Sequence, residues 1–414
     1  MVFGYCWYVS TDGIPKGGDP HVIVDAMGPE LPLARFAELR TEPVTALGPH
    51  EWLVARHPEC AAVLRDPRCS SNPVHVREYE RVKDHLPFTE MEHVILTMDP
   101  PDHTRLRRLA ARAFTPGTVS ALEPWVRART VELLDAIEER SDVDAIAHFA
   151  EPLPIAVIAR LLGVDGDPRF ARWGREMLAG SMPAFIVGDE GRAAAATATE
   201  HVAERLAAGI EERRRAPRDD VLGELVRAEE GGDRLSSEEL VVLGVTLLVA
   251  GFVTTVNLIA NGIALLAGRD DLVAVVRHDD RTVATAVEEM LRLDGGTVAI
   301  TRFATVDLEL GGRRIERGDP VTALVAAANR DPAVFDDPDR FDPTRENAAR
   351  HLTFGSGIHL CLGAPLARLE ARVAFDELLR RYDSIEIADA AERTSAGMRG
   401  YTCLPVRLRP AARS

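Results

Sequence analysis

The 414-residue chain is predicted to be a mainly α protein with small β-sheets, and three observations carry that prediction. Apolar residues recur at helical spacing through most of the sequence. One apolar stretch, residues 236–267, is long enough at 1.5 Å per residue for a helix of about 45 Å, which would cross a whole domain. Strand-like runs are few and short, at 44–47, 52–55, 306–310 and 313–316. No Gly/Ser/Pro-rich linker divides the chain. Residues 44–414 therefore read as a single domain and 1–43 as an N-terminal extension packed on it or leading into it.

The elements follow in order. The start, Met1 to Val9, is apolar for only nine residues and lacks a basic flank, too short to span a bilayer and a poor signal peptide. Two strands come next, then the block Met98-Asp99-Pro100-Pro101-Asp102-His103-Thr104-Arg105-Leu106-Arg107-Arg108, which leads into a helix. Four residues advance a helix by about 400°, so His103 and Arg107 share one face, about 40° apart, while Arg105, Arg108 and Arg112 point the other way. Ser236-Ser237-Glu238-Glu239 forms a capping box for the long helix, and Gly268 ends it. A transmembrane reading of this stretch conflicts with Thr246, Thr254, Thr255 and Asn257 inside it and with the absence of topogenic flanks. Glu289 and Arg292, three apart, share a helical face and can pair. Gly311-Gly312 turns a hairpin. Residues 364–380 have helical apolar spacing.

Composition narrows the function. A formal net charge of −16 argues against nucleic acid or an anionic membrane as partner. Five cysteines, odd in number and irregularly spaced, fit a reducing compartment, the cytoplasm, rather than a disulfide framework.

The most informative run is Phe354-Gly355-Ser356-Gly357-Ile358-His359-Leu360-Cys361-Leu362-Gly363. Its physics suits a thiolate ligand for iron. Glycines at 355, 357 and 363 let the backbone turn tightly against a flat cofactor. Amide N–H groups in such a turn, and the N-terminus of the following helix, favour ionised sulfur. His359 can meet a cofactor carboxylate, and Phe354 can shield the sulfur from water.

This run resembles the F-G-x-G-x-H-x-C-x-G signature of cytochrome P-450, the heme-thiolate monooxygenases in which sulfur pushes electron density toward O–O cleavage. The resemblance extends from about residue 44 to residue 407, in the manner of the soluble bacterial members. It implies the family's fold, with the long central helix over the heme, and heme b ligated by Cys361. His103 and Arg107, in a block similar to the family's D-P-P-x-H-T-R-x-R, together with Arg302 and His359, are expected to hold the propionates. Glu289, Arg292 and Arg340, the last in Pro338-Asp339-Arg340-Phe341, resemble the family's structural Glu–Arg–Arg cluster. The outward Arg105, Arg108 and Arg112 would dock an acidic electron donor.

Ala250-Gly251-Phe252-Val253-Thr254-Thr255 resembles the oxygen-activating stretch of the family. Ala250 and Gly251 leave room for dioxygen, and Thr254 matches the catalytic threonine. Val253 stands where the family places a carboxylate, and a valine transfers no proton. Water, a substrate carboxyl or another side chain would have to take over. The substrate segments implied by position are 72–96, 173–187, 245–252, 297–300 and 398–402, with Met177, Met182, Phe185, Phe252 and Met398 among them, and they suggest a medium-to-large, mainly apolar small molecule. The reaction implied is oxidation of that substrate, in secondary-metabolite biosynthesis, with dioxygen and two electrons from a ferredoxin and its reductase. Oxidative coupling or ring formation without oxygen insertion is the alternative, and a heme-binding sensor or carrier the remoter one.

Overall fold

The computed structural model describes residues 23, 25, 26, 28, 30–77, 79–82, 94–138, 140, 143–163, 169–180, 184–230, 233–393 and 398–411. Five short strands form the largest sheet: β1 (Thr45–Gly48), β2 (Glu51–Val54), β3 (Cys69–Ser70), β4 (Ile300–Ala304) and β5 (Pro320–Ala323), in the order β1-β2-β5-β4-β3. β5 runs parallel to β2 and antiparallel to β4. At the β4–β5 pairing Thr301 lies opposite Thr322, and their buried hydroxyls bond at 2.9 Å. Phe36 and Leu39, from the helix Leu33–Leu39, are buried in one cluster with Leu47 and Leu53. The expected hairpin forms at Leu308–Leu310 and Arg313–Ile315, with positive φ at both Gly311 and Gly312.

Four helices position the site: α1 (Asp102–Ala111), α2 (Ser237–Leu266), α3 (Asp280–Asp294) and α4 (Ala364–Arg381). α2 begins with the expected capping box. The Ser236 hydroxyl accepts from the Glu239 amide at 3.1 Å, and the Ser236 amide donates back to the Glu239 carboxylate at 2.8 Å. It is the one helix among the described residues that is long and apolar enough to cross a membrane, yet most of that apolar window is buried against protein. Leu243, Leu248, Phe252, Ile259 and Ile263 sit in the main core with Met290 of α3 and Phe375 of α4. The approach of α2 to α4 depends on Gly262. A Cβ there would lie 2.4 Å from Phe375 Cζ and 2.7 Å from Met290 Sδ, so any larger residue would force the helices apart.

Behind the site, the structure corrects the expected third member of the Glu–Arg–Arg cluster. Glu289 receives Arg292 through two bonds of 2.6 and 2.7 Å. The second arginine on it is Arg345, donating at 2.9 Å, not Arg340. The Arg340 side chain is 61% exposed and pairs with Asp337 and Asp342. Asp337 takes a positive φ of 44°, and the chain that leaves this turn contributes Arg340 through its backbone carbonyl, which accepts from Arg292 at 3.3 Å and Arg345 at 3.2 Å.

Candidate active site

Cys361 is held by its own loop. Its amide donates to the Phe354 carbonyl at 2.9 Å, closing the turn that Gly355 and Gly357 make at φ of 73° and 72°. At Gly357 a Cβ would meet the Leu64 carbonyl at 2.6 Å, so this position demands glycine on two counts. Burial raises the Cys361 thiol, while the amides of Gly363 and Ala364 and the Arg107 guanidinium pull it down. An iron ion would decide the balance, since a coordinating thiol loses its proton outright. Phe354 is capped by the Arg368 guanidinium, 4.7 Å from the ring centroid.

One cavity, partly open to solvent, joins this loop to α2. Cys361, Phe354, Gly355 and Gly363 line it from one side, and Ala250, Gly251 and Thr254 from α2. Arg107, Arg302 and His359 enter from its edge. Arg302 is buried, and burial lowers it to about 10; its guanidinium donates to the Thr301 carbonyl at 3.0 Å. His359 is depressed to about 2 by burial and then by Arg302, and its Nε2 pairs with the Ser71 hydroxyl at 2.9 Å. His103 does not line the cavity. It stacks on His359 with ring centroids 4.1 Å apart, and burial, then Arg107, lowers it to about 4. Both of its ring nitrogens are buried without a hydrogen-bond partner among the described residues. Arg107 also donates to the Leu360 carbonyl.

On α2 the Thr254 hydroxyl donates to the Ala250 carbonyl at 2.7 Å and the Thr255 hydroxyl to the Gly251 carbonyl at 3.0 Å. Each hydroxyl has therefore spent its proton on the helix and keeps lone pairs for an incoming donor. Val253 packs against the apolar core and does not line the cavity.

The substrate segments divide. Ile95, Leu96, Leu247, Thr297 and Ile300 line the cavity. Phe252 is buried against Gly174, and Met398 against Gly296; neither lines it, and neither does the buried Met177. Met182 and the side chain of Phe185 lie outside the described residues. The expected outward trio also changes. Arg105 is bound within the protein, to Glu239 in the first turn of α2 and to Asp233 at 3.3 Å, because that face of α1 abuts the acidic start of the central helix. Three residues absent from the sequence reading belong near the site: Ser71, Arg345 and Glu370. Glu370 lines the cavity from α4, is 2% exposed, and has a carboxylate oxygen with no hydrogen-bond partner among the described residues.

A lone cysteine facing a largely apolar cavity, with two arginines and a neutral histidine at its rim and small residues and a threonine opposite, defines a heme-thiolate oxygenase. The chain belongs to the cytochrome P450 family, whose model matches residues 188–398. It is 40% identical over 393 residues to 6-deoxyerythronolide B hydroxylase of Saccharopolyspora erythraea, covering 90% of this chain and 95% of that one. It is 39% identical to the cytochrome P450 monooxygenase PikC of Streptomyces venezuelae, covering 94% and 95%. The solved structure of the bacillaene polyketide synthase cytochrome P450 PksS from Bacillus subtilis matches with a TM-score of 0.82 at 33% identity, covering 95% of this chain and 98% of that one.

The family implies a heme iron, and the residues fit it. Among the described residues no group of three or more His, Cys, Asp or Glu side chains could hold a bare ion, so iron at Cys361 must arrive with its other ligands. Buried Arg302 and the orphaned nitrogens of His103 are costly without acidic partners. A flat macrocycle carrying two carboxylates meets that need.

Proposed function

We propose that this chain is a monooxygenase that hydroxylates, or oxidises similarly, a medium-to-large, mainly apolar small molecule in secondary-metabolite biosynthesis, on heme b and with electrons from a cytoplasmic ferredoxin and its reductase. The observation that carries this reading is the single cavity in which Cys361 faces Thr254 across an apolar lining. The polyketide-tailoring names of its relatives support the substrate class. When bound, the heme supplies dioxygen binding and O–O cleavage, with Cys361 as the electron-donating ligand. Arg107, Arg302 and His359, with His103 behind them, would anchor the propionates through charge-assisted hydrogen bonds. Ala250 and Gly251 keep side-chain bulk away from the oxygen site, and Thr254 presents its hydroxyl there. Leu96, Leu247 and Ile300 exclude water and orient apolar substrate.

For electron delivery, Ile358 and Leu360, 52% and 47% exposed, flank the cysteine as an apolar pair with the exposed Arg108 and Arg112 on the neighbouring helix end. That surface, without Arg105, suits a small acidic redox protein. The second reading, oxidative coupling without oxygen insertion, is favoured by Val253, which places no carboxylate beside Thr254. Turnover with ferredoxin and reductase on a panel of polyketide macrolactones tests both. Products heavier by one oxygen support hydroxylation, and products lighter by two hydrogens support coupling. Failure of the carbon monoxide complex to show the thiolate-ligated heme band, or its persistence in Cys361→Ala, would overturn the assignment.

A further inference from the structure

The segment 398–402, a substrate segment by position, contributes nothing to the cavity lining. It stands behind the wall instead. Between α3 and β4 the chain has two sides: Gly295, Thr297 and Ile300 line the cavity, while Val298 and Ala299 are buried in one cluster with Ile23 and Ala26. The buried Arg399 holds this stretch at three points. Its amide donates to the Gly296 carbonyl at 3.0 Å, its Nε donates to the Asp294 carboxylate at the end of α3 at 3.1 Å, and its Nη1 donates to the Gly28 carbonyl. Asn261 of α2 clasps the same junction, its side-chain amide donating to the Asp294 carbonyl at 2.7 Å and to the Arg399 carbonyl at 3.2 Å. The packing leaves no slack. A Cβ at Gly400 would collide with Asn257 of α2, and one at Gly296, whose φ is 84°, would meet the Arg399 carbonyl at 3.3 Å.

From these placements we propose that Arg399 is a positioning residue for substrate selection: it ties Gly28, and with it the packed Ile23 and Ala26, to the end of α3, and so sets how far the Thr297 and Ile300 side of the wall stands into the cavity. The width of molecule accepted is then governed in part by residues near the N-terminus that touch no substrate. The proposal rests on the substrate-cavity reading above. On its inner side the wall meets only the guest, so its support comes from behind, from Ile23 and Ala26 against Val298 and Ala299 and from the Arg399 tie. A planar guanidinium bonded in two directions fixes both distance and angle, which a flexible point charge does not. The consequence for an apolar guest is large, because a gap of about 0.5–1 Å forfeits a quarter to a half of each contact's attraction.

The experiment titrates full-length holoenzyme with imidazole and with 1-dodecylimidazole, whose ring nitrogen ligates heme iron and reports binding as a Soret shift whatever the natural substrate. Wild type, Arg399→Gln, Arg399→Lys, Ile23→Ala and the Arg399→Gln/Ile23→Ala double variant are compared. Imidazole needs only the iron and should bind all of them equally. The alkyl chain must also touch the wall, so 1-dodecylimidazole should bind about tenfold more weakly to Arg399→Gln and to Ile23→Ala, and Arg399→Lys, which keeps the charge beside Asp294, should lose less. Since both changes act through one wall, the double variant should lose little more than the worse single variant. If Arg399→Gln fails to retain heme, the same cycle is read with Arg399→Lys. Equal weakening of both azoles, unchanged binding of 1-dodecylimidazole, or losses that multiply in the double variant would overturn the proposal, leaving the monooxygenase assignment intact. A wild type without the thiolate-ligated heme spectrum would instead overturn that assignment, and this proposal with it.

Discussion

Arg345 donates to Glu289 at 2.9 Å inside a site where the carboxylate is fully buried and already carries Arg292. The three form a charged knot between α3 and the irregular segment that leads to the cysteine loop. Arg345 also donates to the carbonyls of Asp336 and Asp337, at 2.6 and 3.2 Å, so it ties down that segment as well as neutralising charge.

Arg345→Ala should therefore destabilise the protein by about 3–5 kcal/mol, the cost of leaving a buried charge half-compensated. Arg340→Ala, which removes an exposed pair, should cost about 1 kcal/mol or less. Denaturant melts of the two variants check this; equal losses would return Arg340 to the cluster.

Arg302 offers a test whose sign depends on the cofactor. In holoenzyme, Arg302→Ala removes a charged hydrogen bond from a propionate and should weaken heme retention, by about 1.5–3 kcal/mol. In heme-free protein the same change removes a buried cation with one backbone partner, and stability should hold or rise. Heme content after purification and melting curves of both forms decide the matter. A fall in both forms would show that Arg302 is a purely structural residue.

If electrons enter beside the cysteine loop, Leu360→Glu should slow reduction by ferredoxin several-fold at low salt and leave substrate binding unchanged, since the new charge opposes an acidic partner. Arg112→Glu should act in the same direction. Stopped-flow reduction at two salt concentrations measures this, and unchanged rates at low salt would move the docking surface elsewhere.

Val253 is half-buried against the core and outside the cavity lining, so Val253→Glu should partly bury a carboxyl and lower the melting temperature, without improving product yield per electron pair. Thr254→Ala should fold normally and release more peroxide. Parallel measurement of product, peroxide and reductant consumption would expose an error in this placement as a gain in coupling for Val253→Glu.

Glu370 also predicts how stability depends on pH. Its folded-state proton affinity is raised by burial, so the folded protein holds a proton that the unfolded chain loses near the ordinary carboxylate value. Stability should be highest below that value and fall as pH rises toward the folded one. Glu370→Gln should abolish this component, so the wild-type minus variant difference in denaturant midpoint should grow more negative from pH 5 to pH 8. A flat difference would mean that the carboxyl is already ionised in the folded protein.

The heme site was legible where it is local. Ten consecutive residues carry the cysteine, its glycines and its histidine, and helical geometry alone puts His103 and Arg107 on one face. What the sequence hid depends on where irregular backbone points a side chain. Arg340 and Arg345 lie five residues apart in a segment without repeating structure, and the turn at Asp337 decides which one is buried. Arg105 reads as outward until the start of α2 is placed against it. Glu370, in Leu369-Glu370-Ala371-Arg372, looks like an ordinary helix acid, because its burial comes from neighbours far away in the chain. Ser71 is likewise joined to His359 only by the fold.

The notch at Gly262 links the two halves of the reaction centre. Phe375, on the helix that follows the cysteine, fills the space where a side chain of the central helix would stand. Thr254 and Cys361 are thus mounted on parts that interlock, about two turns beyond the threonine and about three turns into the helix after the cysteine, and neither can be re-aimed without disturbing the other. A descendant of this protein that oxidised a different molecule would keep this frame and change the lining, at positions such as Leu96, Leu247 and Thr297. The distance across which oxygen is handled would be inherited unchanged, and chemical novelty would come from the shape of the guest.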